Sequence, residues 1–416
     1  MKFNLENGVI TLFIIGELSS TNAASVEADM DSTMQGKSFT SVVLDLGSCT
    51  YVSSAGLRIV LKLKQKYGNV SVINASLEVY DVFEMTGFSS IMPVKKAMRT
   101  IDVSNAEVIG SGFFSTVYRL DKDTIVKVFN RTSDPEQIER ELRLAKEAFV
   151  LGVPTAISFD IVRVGDKLGV CFEMLDCMSL KNAVVAHPEN IHDYVVKYTA
   201  LLKTINTTEC YDPNIPDIKK FYLEKLEVSR PMMEEKYYLK AKELLESVED
   251  RQTFVHGDCH FKNIMVQNDE LILIDMDTLS VGHPIFEFAA IYAPYCAFNE
   301  DDPGNSERFF GIKEEDSTRL YNAVVDLYFG KDDPALKDKI RIVSYVHMMW
   351  WNRVNEPSNN KRFEGCRGRL YQLLDQYNDL DIGVLFERTY KNKMPADLRA
   401  FYDANGRLFG FDFFDG

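Results

Sequence analysis

The sequence has no C-x-x-C pair, although it holds seven cysteines (Cys49, Cys171, Cys177, Cys210, Cys259, Cys296 and Cys366). Scattered in this way, they argue against a disulfide framework or a zinc site and read as reduced thiols of a cytoplasmic protein. No run reaches the roughly 18–20 apolar residues that a membrane-spanning helix needs. The start, MKFNLENGVITLFI, lacks the cationic region, long apolar stretch and cleavage site of a secretory leader. Internal repeats and low-complexity tracts are missing too. So is a basic patch. Residues 1–100 balance nine Lys/Arg against nine Asp/Glu, so the net charge of −15 lies entirely in the rest of the chain. An acidic surface repels nucleic-acid phosphate and anionic lipid, so neither is expected as a partner; a cationic partner is compatible, and so is plain solubility.

What is there is an ordinary folded composition, 46% hydrophobic and 26% charged, over 416 residues, a length that predicts two or three domains. In the first hundred residues the β-branched runs at 9–16, 40–47 and 69–76 predict strands. Between the last two, SSAGLRIVLKLKQKYG carries Leu57, Val60, Leu61, Leu63 and Tyr67 at helical spacing and stops at Gly68. Strand, helix and strand in that order predict a right-handed crossover between parallel strands. The helix LEVYDVFEMTGF follows, giving an α/β domain over residues 1–98. A linker at 99–105 then leads into an antiparallel hairpin with a glycine-rich turn, AEVIGSGFFSTVYRLDKDTIVKVFN, followed by a helix and two further strands. Beyond 185 amphipathic helices dominate, interrupted by HGDCHFKN and the hairpin NIMVQNDELILIDMD. The expectation is a two-lobed α+β body, with one lobe at 106–176 and a second at 177–380; residues 381–416 have no assigned role.

The loop VHGDCHFKNIMV delivers His256, Gly257, Asp258, His260 and Asn263, and the apolar run LILID delivers Asp275. Phosphoryl transfer needs a carboxylate to orient or deprotonate the attacking hydroxyl and oxygen ligands for magnesium. Asp258, Asn263 and Asp275 supply that set, with the five-residue step from aspartate to asparagine found in kinase catalytic loops. Upstream, Gly110 and Gly112 open a turn whose amides can approach phosphate oxygens, although Ser115 stands where a third glycine of G-x-G-x-x-G would be. Lys127 sits mid-strand among apolar residues, where an ammonium needs an anion: nucleotide phosphate, or a glutamate of the next helix, with Glu141 the first choice and Glu139 the alternate.

On these residues the chain resembles the protein-kinase-like superfamily, in particular its aminoglycoside and choline phosphotransferase branch, which has HGD followed by Asn and an Ile-Asp pair. The resemblance implies ATP and Mg2+ as cofactors, Asp258 as catalytic base, and Asn263 and Asp275 as metal ligands. It implies that GVCFEMLDC is the hinge, with the Glu173 and Leu175 backbones meeting adenine, and that His260 shapes the loop. Asp277 reads equally as an outer ligand or a turn residue, and Glu287 as a brace for the loop or a helix cap. Trp350 and Trp351 read as packing residues rather than a stacking platform.

The first domain, through VLDLGSCTYVSSAGLRIVL, is similar to STAS domains of anti-sigma-factor antagonists. That resemblance implies a phosphorylated serine at Ser54, with Gly56 matching the motif glycine and Ser53 replacing a more usual aspartate. A plain cap is the alternative for one of the two hydroxyls. The expectation is therefore an α/β plus α+β chain: a STAS-like domain followed by a two-lobed protein-kinase-like domain. Its activity would be transfer of a phosphoryl group from ATP to a hydroxyl of a small molecule or a protein, with an anti-sigma-factor-like protein as a partner of the first domain. A non-catalytic, nucleotide-sensing pseudokinase is the alternative.

Overall fold

The computed structural model describes residues 1–112, 115–130, 135–175, 177–330 and 333–377. The expected extension at 381–416 lies outside the described residues. The chain divides into two compact units: Met1–Asn105 with Ile161–Gly169, and Ala106–Asp160 with Val170 onward.

In the first unit five strands, Phe3–Glu6, Val9–Leu18, Ser41–Val52, Val70–Ala75 and Val94–Lys96, lie side by side in chain order. The first two form an antiparallel hairpin. Asn7 and Gly8 turn it with φ of 50° and 77°, the backbone that a tight two-residue hairpin requires. The remaining neighbours pair in parallel. Such pairing needs crossovers, and helices Ala23–Met34, Ser54–Tyr67 and Leu77–Met85 provide them. The helix Ala23–Met34 has no counterpart in the expected elements; its apolar pattern is weak, with only Met30 and Met34 buried. The strand expected at 40–47 runs on to Val52. Alternate strand residues Ile10, Leu12, Val42, Leu44, Val70 and Val72 form the core with Leu57, Val60, Leu63 and Phe83 from the helices. Within the stretch expected as a linker, Arg99 and Thr100 pair in parallel with Val162 and Arg163.

The second unit begins with an antiparallel meander, Glu107–Ser111, Ser115–Arg119 and Thr124–Phe129. Residues 170–173, the end of strand Lys167–Glu173, belong to this unit as well, and helix Pro135–Val150 follows the meander in the chain. The rest is mainly helical, and one continuous core runs through it, drawing on helices Ile191–Thr207, Ile285–Tyr292, Glu314–Phe329 and Pro334–Asn355. Two small sheets interrupt the helices. Phe254–Val255 pairs with Ser280–Val281, and the hairpin Ile264–Gln267/Glu270–Leu273 pairs with Met178–Ser179. The first of these pairs closes off the stretch 256–279, which carries the polar motif and contains the hairpin. Trp350 and Trp351 meet Phe221 and Phe298 edge-on, which is packing. No helix among the described residues is long and apolar enough to cross a membrane.

Candidate functional site

Antiparallel pairing of Ile264 with Leu273 places the residues just before and just after the hairpin on neighbouring chain ends. Asn263 and the 274–275 step are therefore adjacent, and Ile274 N–H donates to Asn263 O at 3.0 Å. Asn263 Nδ2 donates to Asp258 Oδ2 at 2.9 Å and to Asp258 O at 3.0 Å. That leaves Asn263 Oδ1 as an acceptor. Asp275 stands at φ +65°, a left-handed backbone that costs a residue with a Cβ about 1–2 kcal/mol. The turn aims its carboxylate at Lys127.

Lys127 Nζ lies 2.5 Å from Asp275 Oδ1 and 3.1 Å from Glu141 Oε1. The pair with Glu141, rather than Glu139, answers the question posed by an ammonium on a buried strand. Burial works against the charged lysine, but Asp275 and then Glu141 outweigh it, so its pKa is raised and the ammonium stays charged. Asp275 uses Oδ1 on Lys127, so Oδ2 remains. Asp275 Oδ2 and Asn263 Oδ1 are hard oxygen donors of the kind a small divalent cation takes, with phosphate and water completing its shell. No group of three or more His, Cys, Asp or Glu suited to a metal occurs among the described residues.

The loop that carries Asp258 is braced from below. Glu287, fully buried on helix Ile285–Tyr292, accepts the His256 N–H at 2.6 Å and the Gly257 N–H at 3.1 Å. Burial pushes its carboxyl up to about 7, while the two amides pull the other way. Both oxygens serve the loop, so Glu287 is the brace and not a helix cap. His256 accepts the Asp258 N–H through Nδ1 at 3.2 Å and faces Ile274 O through Nε2 at 3.3 Å. Those partners fix a neutral ring with its proton on Nε2. Gly257 adopts φ +78°, and a Cβ there would stand 3.3 Å from Thr278 O. Thr278, Tyr295 and Tyr198 complete the support by donating to the carbonyl of His256, accepting from Phe261 N–H, and donating to the carbonyl of Cys259. Sequence reasoning missed these three, because each reaches the loop from a distant or unmarked position.

The Asp258 side chain keeps 47% of its surface open. Desolvation by the protein around it still raises its pKa to about 7; the charge of Asp275 adds to this, and Asn263 opposes it. His260 Nε2 is 3.6 Å from Asp258 Oδ1, too far for a hydrogen bond. The His260 ring packs edge-on to Phe309 and Phe310. Burial holds its pKa down near 4, so it sits as a neutral wedge under the loop.

A cavity of about 660 Å³ opens beside these groups, lined by Lys127, Glu141, Asp275, Gly110, Glu173 and Leu175 among others. Gly112 is not part of that lining; its N–H closes the turn on Ser115 O at 2.9 Å. Glu173 gives its N–H to Ile157 O at 3.1 Å and accepts the Ile157 N–H on its side chain at 3.0 Å.

In the first unit the two serines separate. Ser53 has an extended backbone (φ −94°, ψ 174°) and caps the helix, accepting the Gly56 N–H at 3.4 Å, while its hydroxyl faces Leu18 O at 3.3 Å. Ser54 is the first helical residue and is exposed. Gly56 is held against the neighbouring strand so closely that a Cβ would stand 2.4 Å from Leu18 O.

The profile of the phosphotransferase enzyme family, APH, matches residues 105–321, and that of the STAS domain matches residues 2–102. Among curated relatives, the anti-sigma factor antagonist candidate BtrV of Bordetella bronchiseptica is 38% identical over 100 residues, 23% of this chain and 85% of that protein. The anti-sigma F factor antagonist of Paenibacillus polymyxa is 29% identical over 91 residues, 21% of this chain and 78% of that protein. Two solved structures resemble the chain at TM-scores of 0.44. One is the gentamicin complex of APH(2″)-IIa, 13% identical, covering 70% of this chain and 95% of that one. The other is a choline/ethanolamine kinase family protein from Mesorhizobium loti, 12% identical, covering 71% and 93%.

Proposed function

We propose, for a chain that belongs to the phosphotransferase enzyme family and carries a STAS domain at its N-terminal end, that it is an ATP- and Mg2+-dependent phosphotransferase acting on a hydroxyl. The observation that carries this reading is Lys127 held jointly by Glu141 and Asp275, with Asp258 paired to Asn263 on the same hairpin frame. In this reading Lys127 takes nucleotide phosphate, and the Gly110 turn and the Glu173 and Leu175 backbones hold the rest of the nucleotide. Asn263 and Asp275 hold Mg2+, which supplies charge neutralisation to the phosphates. Asp258 accepts the proton of the acceptor hydroxyl. The hydroxyl oxygen bonds to the γ-phosphorus, the bond from that phosphorus to the bridging oxygen breaks, and ADP leaves.

The STAS domain in this reading docks an anti-sigma-factor-like protein in the cytoplasm, and phosphorylation of Ser54 breaks that contact. Exposure of Ser54 and assignment of the cap to Ser53 support it. A phosphate would add about −2 charge at the helix start without removing the cap. Joint presence of Lys127, Asp258, Asn263 and Asp275 speaks against a non-catalytic nucleotide sensor.

The test is transfer from labelled ATP with Mg2+ to a panel of aminoglycosides, choline-like alcohols, sugars and no acceptor at all, with Asp258→Asn as control. Transfer present in wild type and lost in the variant is expected, and label on Ser54 in the acceptor-free arm would identify the chain as its own substrate. Equal inactivity of both proteins across the panel overturns the catalytic reading.

A further inference from the structure

We propose that Lys181 and Lys262 form an anion-binding subsite in this cavity, and that the acceptor is a small hydroxyl compound already bearing a phosphate monoester. The acceptor part rests on the phosphotransferase reading above. Lys262 lies in the turn Phe261–Asn263, between Asp258 and Asn263 in the chain, and Lys181 is the second residue of helix Leu180–Ala186. Both line the cavity that contains Lys127 and Asp275. Both side chains also reach the same segment, residues 309–311. Lys262 Nζ stands 4.0 Å from the centre of the Phe309 ring, and a Cβ on Gly311 would be 3.9 Å from Lys181 Cε.

Neither lysine has a carboxylate partner among the described residues. The lysine deeper in the same cavity, Lys127, is by contrast paired with two carboxylates. Two converging ammonium groups repel each other unless an anion lies between them. A phosphate monoester of about −1.5 to −2 charge at pH 7 neutralises both, and each ammonium brings three donors for its oxygens. The local field therefore favours an acceptor opposite in sign to the one that the net charge of −15 invites. A polycationic aminoglycoside would be repelled here.

The phosphate could also belong to the nucleotide, and the experiment separates the two sources. Full-length protein saturated with ADP is titrated with glycerol 3-phosphate, ribose 5-phosphate and glucose 6-phosphate, each against its neutral parent, by calorimetry. At least one phosphate compound is expected to bind about 10- to 100-fold more tightly than its parent. The K181Q/K262Q double variant loses that preference and K181R/K262R keeps it, while ADP affinity in K181Q/K262Q stays within about twofold of wild type. No preference in wild type, or a preference that survives K181Q/K262Q, overturns the proposal. So does a fall in affinity for ADP, but not adenosine, with the acceptor preference intact, which would give the lysines to the nucleotide. Selective binding without transfer to any acceptor would instead count against the phosphotransferase reading and leave the anion subsite standing.

Discussion

Lys127 Nζ and Asp275 Oδ1 approach to 2.5 Å across 148 residues of sequence. With Glu141 on the same ammonium, one side chain ties the strand Thr124–Phe129 to the helix Pro135–Val150 and to the turn after the Glu270–Leu273 strand.

Removing that ammonium leaves two carboxylates facing each other in a mostly buried setting. Lys127→Met is expected to lower unfolding stability by about 3 kcal/mol and to abolish measurable ATP binding. Denaturant midpoints and calorimetric titration check both effects; unchanged ATP affinity would remove Lys127 from the nucleotide site.

Asp258, with a pKa near 7, makes activity and stability move in opposite directions with pH. In the proposed transfer Asp258 is the base and must be ionised, so kcat/KM is expected to rise as pH increases through about 7. In the unfolded chain the same carboxyl loses its proton near the ordinary aspartate value. Between about pH 4 and 7 the folded state therefore holds a proton that the unfolded state has released, and stability falls as pH rises across that window. Asp258→Asn is expected to cost about 10²- to 10⁴-fold in transfer, and to raise Tm over wild type at pH 8 but not at pH 4. Thermal scans at the two pH values, paired with the transfer assay, check it.

Glu287→Ala strips the partner from two backbone amides at the loop, one buried and one partly buried. A loss of about 3 kcal/mol is expected, together with a fall in transfer rate that ATP affinity does not share. Equal loss of both would mean that the lobe has come apart rather than the loop.

Ser53 and Ser54 should respond differently to the same change. Ser53→Ala removes the cap at a cost of about 1 kcal/mol, whereas Ser54→Ala is expected within about 0.5 kcal/mol of wild type. Only Ser54→Ala should abolish incorporation of phosphate into the first domain, which mass spectrometry reads directly.

Gly56→Ala tests the close approach behind those serines. The added carbon meets a backbone carbonyl, which cannot rotate away, so a loss of about 1–3 kcal/mol in the first unit is expected. Hydrogen exchange along Val9–Leu18 and Ser54–Tyr67 would localise it.

The N-terminal crossover was legible because its strands are β-branched runs and its helix repeats apolar residues at 3.6 spacing. Helix Ala23–Met34 was not, since AASVEADMDSTM buries only two methionines and carries no apolar stripe. Asp258, Asn263 and Asp275 could be found because a single loop and hairpin fix their spacing. The supports from Glu287, Thr278, Tyr295 and Tyr198 came with no such local rule, and only Glu287 was even a candidate.

By itself the sequence determined which chemical groups the chain can bring to a site: an aspartate and asparagine five residues apart, a lysine on an apolar strand, two serines before a glycine. Covalent spacing and local periodicity are enough for that. Only the tertiary structure decided which groups act together. It gave Lys127 to Glu141 rather than Glu139, made Ser53 the cap and left Ser54 exposed, and brought Lys181 and Lys262 to the same segment with no carboxylate partner among the described residues. These are long-range choices, set by how buried surfaces pack and by which charges can still find a partner once water is excluded, and no short window of sequence contains them.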